Sequence, residues 1–267
     1  TEKKKVTVKT FVEMKRDGNK IAMLTAYDYT TARLIDEAGV DSILVGDSAS
    51  NVMLGNDSTL PITLDEMIVY ARGVARGCQR ALVVCDMPFG SYQVSPEEGV
   101  RNAVRLIRET GVDAVKLEGG EEVAPTIERI VNAGIPVVGH LGLTPQSIHK
   151  FGGYGVRARS EVEATKLIAD AQALEKAGCF AVVLEKIPAS VAQQVTDLLS
   201  VPTIGIGAGS HCDGQVLVYA DAMGLTQGFE PKFLREFAAM GEELRRGVRA
   251  YCEAVKGDEF PNESESY

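Results

Sequence analysis

The chain has 267 residues and a formal net charge of −9, with 28 Lys and Arg against 37 Asp and Glu. This acidic balance argues against nucleic acid as a partner, and no apolar run is long enough to predict a membrane span. With 45% hydrophobic residues the chain can form a large core, and its length fits either two domains or one large barrel.

The cysteines and the N-terminal residues indicate the cellular compartment of the protein. Five cysteines, an odd number without a C-x-x-C pair, predict reduced thiols rather than a disulfide framework or a zinc site. Thr1 to Lys5 form a basic stretch with no apolar region behind it, so no secretory signal is expected. Both features favour a cytoplasmic protein.

The N-terminal part, residues 1–20, is predicted to be a short amphipathic segment that can close the bottom of a barrel. Its apolar side chains are Val8, Phe11, Val12 and Met14. The polar tail, residues 256–267, is expected to be loosely ordered. No shift in composition divides residues 21–255, which favours one domain between these ends.

Within residues 21–255 one unit recurs: a helix ends at glycine, a short β-rich apolar run follows, and a polar residue ends the run. Capping boxes at 63–66 and 160–163 mark helix starts. The predicted strands are 21–27, 41–47, 81–86, 114–118, 136–140, 179–185, 202–206 and 222–226. The predicted helices are 29–38, 64–77, 96–110, 122–133, 161–177, 189–199, 213–219 and 231–255.

Eight strands alternating with eight helices predict a single-domain (β/α)8 barrel of the α/β class. A doubly wound open sheet is the alternative, but it usually has fewer units or a second domain. In such a barrel the active site lies at the carboxyl ends of the strands.

The carboxyl ends of five successive predicted strands carry ionisable residues. Singly, each has an ordinary explanation as a turn residue, a helix cap or a core histidine. Five in succession at one rim are harder to explain by turn chemistry and predict an active site. The residues are Asp47 (followed by Ser48), Asp86, Lys116 with Glu118, His140 and Glu185.

Three of these residues, Asp47, Asp86 and Glu118, are carboxylates that would repel one another in a partly buried rim. A hard divalent cation removes that repulsion, and oxygen-only ligands favour Mg²⁺ or Mn²⁺ over zinc. Such an ion can chelate a 2-oxo acid and polarise its ketone, which eases removal of the neighbouring proton.

Lys116 and Glu118 lie on one face of their strand, since side chains alternate. Lys116 is therefore placed to pair with an anionic substrate, although a structural ion pair between the two is the alternative. Glu185 is the candidate proton-transfer group.

The long loop 141–159 is either a lid or a flexible surface loop. The glycines at 205–209 indicate either a phosphate cradle or close packing of a helix against a strand.

Six strings in order closely resemble the ketopantoate hydroxymethyltransferase family. Together they are specific, and the similarity runs from about residue 7 to the tail at 260–261. The strings are Thr25-Ala26-Tyr27-Asp28, Val45-Gly46-Asp47-Ser48, Asp57-Ser58-Thr59-Leu60-Pro61, Lys116-Leu117-Glu118-Gly119-Gly120, Gly139-His140-Leu141-Gly142-Leu143-Thr144-Pro145-Gln146-Ser147 and Gly205-Ile206-Gly207-Ala208-Gly209.

The resemblance implies a barrel of the phosphoenolpyruvate/pyruvate superfamily that assembles as a homodecamer. It implies transfer of a one-carbon unit from 5,10-methylenetetrahydrofolate to 3-methyl-2-oxobutanoate, giving 2-dehydropantoate in pantothenate biosynthesis. The family's roles fall on these positions: Mg²⁺ ligands Asp47, Asp86 and Glu118; 2-oxo acid contacts Asp47, Ser48, Asp86 and Lys116; proton acceptor Glu185; and His140 lining the site.

The chain departs from the family pattern at 210–211 and 228–232, near where the folate can reach, so its folate contacts are left open. One alternative is a Mg²⁺-dependent lyase or mutase of the same superfamily, which should carry a reactive cysteine on a mobile loop. Another is a non-catalytic sensor or scaffold, which would gain nothing from keeping Lys116, Glu118 and Glu185 together.

Overall fold

The computed structural model describes residues 4–267. Two compact units are distinguished, one through Val218 and one from Tyr219 to Tyr267. The first contains eight parallel strands that close into a barrel in the order of the chain. The strands are β1 (Ile21–Thr25), β2 (Ser42–Val45), β3 (Leu82–Asp86), β4 (Ala114–Glu118), β5 (Val137–Gly142), β6 (Ala181–Glu185), β7 (Thr203–Ile206) and β8 (Gly214–Leu217).

The helices of the first unit begin and end largely where the sequence signals predict. Thr63 caps one helix in a capping box with Glu66, and Gly111 ends another in the left-handed conformation. These helices are α1 (Val8–Arg16), α2 (Tyr29–Ala38), α3 (Ala49–Val52), α4 (Leu64–Gly77), α5 (Pro96–Thr110), α6 (Ala124–Asn132), α7 (Ile148–Phe151), α8 (Glu161–Lys176) and α9 (Ala189–Leu198).

The predicted barrel is confirmed, but its last strand was assigned wrongly. Residues 213–219, predicted as a helix, contain β8, and residues 222–226, predicted as a strand, form a helix end and a turn. β8 is a strand because it pairs with β1 on one side and β7 on the other. Only glycine fits at Gly214, since a Cβ would lie 2.5 Å from the Ile21 carbonyl oxygen.

The second unit contains α10 (Tyr219–Ala222) and α11 (Met240–Lys256). The predicted helix 231–255 begins later than expected, because residues 231–239 form turns and irregular segments. One face of α11 exposes Met240, Leu244, Val248, Tyr251 and Val255. Across residues 4–267, no helix has both the length and the apolar character needed to cross a membrane.

The barrel core is closed at its amino-terminal end by α1. Phe11 is 1% exposed, and its ring centroid lies 5.7 Å from that of Phe180, edge to face. Val6 and Phe11 belong to the same buried cluster as the inward side chains of the strands, and Val8 and Met14 pack against it. Through these side chains α1 packs beneath the barrel, whereas residues 1–3 of the predicted N-terminal segment lie outside the described residues.

Replacing Phe11 with alanine should lower the free energy of unfolding by about 3–5 kcal/mol, since the ring leaves a cavity in the core. Urea unfolding followed by circular dichroism measures the change. Val12→Ala, at a side chain that is 42% exposed, is the matched control and should change stability little. Equal losses in the two variants would contradict packing by α1.

Candidate active site

Alternation along β3 to β6 produces a barrel interior that is apolar below and charged above. In β3 the inward positions are Leu82, Val84 and Asp86, and in β4 they are Ala114, Lys116 and Glu118. The lower members of each series belong to the buried core cluster. The same order recurs with Val138 and His140 in β5, and with Ala181, Val183 and Glu185 in β6.

Strand register brings these charged residues side by side. Asp86 is paired with Lys116 between β3 and β4, and Glu118 with His140 between β4 and β5. Asp47 follows β2, where its backbone N–H donates to Asp86 Oδ2 at 2.9 Å. The structure therefore brings these residues together at the carboxyl-terminal mouth of the barrel, where the predicted strand ends place them.

Lys116 lies at the centre of this group and is 4% exposed. Its Nζ is 3.0 Å from Asp86 Oδ1 and 3.1 Å from His140 Nδ1. A lysine ammonium can only donate, so the contact with Nδ1 uses that nitrogen as the acceptor and leaves the ring proton on Nε2. The sequence pattern left open an ion pair between Lys116 and Glu118, but the closest carboxylate to Nζ is Asp86.

His140 lies between two carboxylates, one on each strand that flanks β5. Its Nδ1 lies 3.2 Å from Glu118 Oε1, and its Nε2 lies 3.2 Å from Glu185 Oε2. The side chain of Glu185 is 17% exposed, whereas those of His140 and Glu118 are almost fully buried. Of these three residues, Glu185 is therefore the most open to a molecule in the mouth.

The backbone around Glu185 is hydrogen-bonded to the start of the loop after β5 and to the end of β7. Leu143 N–H donates to the Glu185 carbonyl at 2.8 Å, and Lys186 N–H donates to the Ile206 carbonyl at 2.8 Å. Gly142 has φ +92°, and a Cβ there would lie 2.2 Å from the Glu185 carbonyl oxygen. A side chain at position 142 would therefore displace the strand end that carries Glu185.

Two residues of the site were not assigned a role from the sequence, Gln146 and Tyr92. Gln146 Nε2 donates to Asp47 Oδ2 at 2.8 Å, and Tyr92 O–H lies 2.7 Å from Gln146 Oε1. Gln146 lies within one of the family-like strings, which is the only signal that could have indicated it. Ser48, predicted as a substrate contact, shares a 2.7 Å hydrogen bond with Tyr27 through its Oγ.

Burial and mutual repulsion shift the pKa values of this group. Burial raises the pKa of Glu118 to about 7, and burial with the charges of Asp86 and Glu118 raises the pKa of Asp47 well above its usual range. Burial opposes the charged form of Lys116, but the surrounding carboxylates outweigh it and raise the pKa of that residue. Burial and Lys116 lower the pKa of His140, which keeps its ring neutral.

The carboxylates suit a hard cation by their chemistry. Asp47, Asp86 and Glu118 supply only oxygen donors, and one lysine cannot balance three charges. Asp86 Oδ1 is buried and accepts no hydrogen bond of good geometry. In the part of the chain that the structure describes, however, no three His, Cys, Asp or Glu side chains lie close enough together to hold a metal ion as they stand.

A closed barrel with acids, a lysine and a neutral histidine at its carboxyl end defines an enzyme of the (β/α)8 class. The model of the ketopantoate hydroxymethyltransferase family matches residues 5–263. A relative from Flavobacterium johnsoniae, 3-methyl-2-oxobutanoate hydroxymethyltransferase, is 59% identical over 99% of this chain and 97% of its own length. The chain belongs to the ketopantoate hydroxymethyltransferase family and is an enzyme with that transferase activity.

Solved structures with the same fold confirm the type of barrel. 2,3-Dimethylmalate lyase, a member of the PEP mutase/isocitrate lyase superfamily, aligns with a TM-score of 0.59 and 18% identity over 96% of this chain and 89% of its own. Phosphonopyruvate hydrolase in complex with oxalate and Mg²⁺ aligns with a TM-score of 0.62 and 12% identity over 97% and 92%. At these identities the likeness concerns the fold alone.

The raised pKa of Glu118 predicts a pH-dependent stability of the metal-free protein. Between pH 4.5, the ordinary pKa of a glutamate side chain, and about pH 7, the unfolded chain loses this proton while the folded protein keeps it, so stability falls as pH rises. The loss is on the order of 3 kcal/mol from this group, because each pKa unit corresponds to about 1.4 kcal/mol.

Urea unfolding between pH 4.5 and pH 8 in the presence of a chelator measures this dependence. Glu118→Gln should have a flatter profile than the wild type, whereas Glu161→Gln, an exposed residue of α8, should keep the wild-type slope. Parallel profiles for the wild type and Glu118→Gln would contradict the raised pKa.

Proposed function

We propose that this enzyme transfers the one-carbon unit of 5,10-methylenetetrahydrofolate to C3 of 3-methyl-2-oxobutanoate, with Glu185 as the proton acceptor and Mg²⁺ at the carboxylates. The observation that carries the proposal is the ordered row at the barrel mouth, in which Lys116, His140 and Glu185 are linked by contacts of 3.1 and 3.2 Å. The family's substrate is an anion with an acidic C–H bond next to a ketone, and this row supplies a cation and a base.

In this proposal Lys116 and Ser48 bind the carboxylate of the 2-oxo acid. Lys116 is positively charged and buried, so its attraction for an anion is screened little by water. Ser48 presents its Oγ at the same mouth, oriented by Tyr27. These contacts turn the 2-oxo acid so that C3 faces the β6 side of the barrel.

Glu185 then removes the proton from C3. Its carboxylate is the open member of the row, and the neutral His140 faces it, with Nε2 3.2 Å from Glu185 Oε2 but no hydrogen bond of good geometry between them. The resulting enolate adds to the methylene carbon of the folate in an aldol-like step. The bond from that carbon to one folate nitrogen breaks in this step, and water then displaces the second folate nitrogen and supplies the hydroxyl group of the product. Tetrahydrofolate leaves with the proton taken from C3 and one proton of the water on its two nitrogens.

Asp47, Asp86 and Glu118 are the residues that would hold Mg²⁺. The bound ion would polarise the ketone of the 2-oxo acid, which lowers the cost of removing the C3 proton. Phosphonopyruvate hydrolase, a solved structure with the same fold, is a complex with oxalate and Mg²⁺.

A cavity of about 340 Å³ beside the mouth is our candidate for part of the folate site. It is lined by Gly119, which follows Glu118 directly, and by Gly142, which is paired with Glu185. Phe151 also lines it, with the Arg157 guanidinium 4.1 Å from the ring centroid. A flat aromatic ring and cationic side chains suit a pterin and a glutamate tail.

The buried thiols argue against a lyase that works through a reactive cysteine. Burial raises the pKa of Cys179 to about 12, and burial with nearby carboxylates raises that of Cys85 well above its usual range. Burial likewise raises the pKa of Cys212. Thiols in these positions are poor nucleophiles because the thiolate is the reactive form.

The homodecamer and the cytoplasmic location stay predictions. Self-association is supported by the exposed apolar face of α11, since large exposed apolar patches commonly mark interfaces between proteins. The cytoplasmic location rests on features of the sequence alone, among them the cysteine pattern.

Incubation with Mg²⁺ and 3-methyl-2-oxobutanoate in D₂O, with and without the folate, tests the activity through C3 deuteration and product formation. Glu185→Gln should lose C3 deuteration by several orders of magnitude while still binding the 2-oxo acid, because glutamine cannot accept the proton. Glu128→Gln, an exposed residue of α6, should behave like the wild type. Deuteration at the wild-type rate in Glu185→Gln would remove Glu185 from this role.

Lys116→Ala should weaken binding of 3-methyl-2-oxobutanoate more than binding of Mg²⁺, since the lysine contacts the substrate anion and is itself a cation. Asp86→Ala should weaken both. Calorimetric titration of folded protein measures the two affinities, with Lys176→Ala on the surface of α8 as the control. Equal losses of both ligands in Lys116→Ala would indicate that Lys116 serves only as a structural ion pair.

A further inference from the structure

Gln146 reaches the carboxylates from the opposite side of the barrel mouth. It lies in the single helical turn Pro145–Ser147 of the loop after β5 and is 6% exposed. Its side chain extends to the segments that follow β2 and β3. The glutamine side chain is neutral, so it forms hydrogen bonds with these acidic residues without adding a charge.

The orientation of the Gln146 amide is determined by its neighbours. The Met87 carbonyl, 3.0 Å away, can only accept, so the amide nitrogen must face it. The second hydrogen of that nitrogen then donates to Asp47 Oδ2 at 2.8 Å. Oε1 lies on the other side, near the hydroxyl of Tyr92 at 2.7 Å and Nε2 of Gln93 at 3.0 Å.

The backbone of the same residue holds a second carboxylate. Gln146 N–H donates to Glu118 Oε2 at 2.9 Å. The hydroxyl of Tyr92 accepts from the backbone N–H of Glu118 at 3.0 Å, so it supports both Gln146 and the end of β4. One residue of the loop is thus bonded to Asp47 after β2 and to Glu118 at the end of β4.

We propose that Gln146 is a positioning residue that fixes Asp47 and Glu118 relative to each other and so sets the geometry of the metal-binding group. The inference rests on the proposed function, in which these carboxylates hold Mg²⁺. Each keeps one oxygen bonded to Gln146, which orients the other. The turn 145–147 is therefore part of the site, and its order and the affinity for the cation depend on each other.

Two variants separate the side-chain role from simple packing. Gln146→Met keeps the volume and the backbone N–H but removes the amide, and Gln146→Glu places a carboxylate against Asp47 and the Met87 carbonyl. Gln194→Met and Gln194→Glu, at an exposed position of α9, make the same chemical changes away from the site. The probe is Mn²⁺, whose binding to the folded protein is followed by electron paramagnetic resonance, together with C3 deuteration and urea unfolding.

We expect Gln146→Met to weaken Mn²⁺ binding roughly 10–100-fold, and we expect both variants to slow C3 deuteration because both lose the amide that orients Asp47. The Gln194 variants should match the wild type. Wild-type affinity and deuteration in folded Gln146→Met, even with a lower unfolding midpoint, would overturn the inference alone. A wild-type protein without Mn²⁺ binding or deuteration would overturn the proposed function and this inference with it.

Discussion

The contact of the Lys116 ammonium with Asp86 is the interaction on which the barrel mouth depends. Three carboxylates are buried within one hydrogen-bonded network, and desolvation alone would drive protons onto them. The single buried cation pairs with Asp86 and also keeps the neighbouring His140 neutral, but it does not offset the burial of Asp47 and Glu118, whose pKa values stay raised. Removing either partner of a buried pair leaves an uncompensated charge, which costs several kcal/mol.

The barrel interior is divided along the barrel axis into an apolar core and a layer of ionisable side chains. The lower inward side chains of the strands make the packed core, and in β3 to β6 an ionisable side chain lies at the last inward position. The charged layer is therefore supported from below by close-packed apolar side chains that cannot easily shift. The lower, apolar part of the interior stabilises the fold, and the upper part carries the side chains of the active site.

Much of the site follows from the sequence because strands alternate strictly. Ala114, Lys116 and Glu118 can be assigned to one face without a structure, and the parallel order then places Asp86 and His140 beside them. Gln146 and Tyr92 could not be assigned in this way. Both lie in segments between strands and helices, where no periodicity links position to direction, and both are neutral, so charge gives no signal.

The last strand shows how the alternation of helices and strands misleads at the closure of a barrel. Residues 214–219 (Gly-Gln-Val-Leu-Val-Tyr) contain more β-branched and aromatic residues than residues 222–226 (Ala-Met-Gly-Leu-Thr), although the alternation predicts a helix at the first and a strand at the second. The structure of 214–217 is decided by the free edges of β1 and β7, which must both be hydrogen-bonded by one short segment. The need to pair with both β1 and β7 arises only in the complete barrel, so residues 214–217 alone do not reveal it.

The contact between Phe11 and Phe180 has a consequence for how the chain folds. Residues near the amino terminus complete their packing only after β6 has formed, and β1 is paired on both sides only when β8 arrives. Contacts between residues so far apart in sequence carry a large loop-closure cost, which slows folding. On the ribosome, α1 therefore emerges before the barrel strands and must wait for most of them, with its apolar side chains exposed in the meantime.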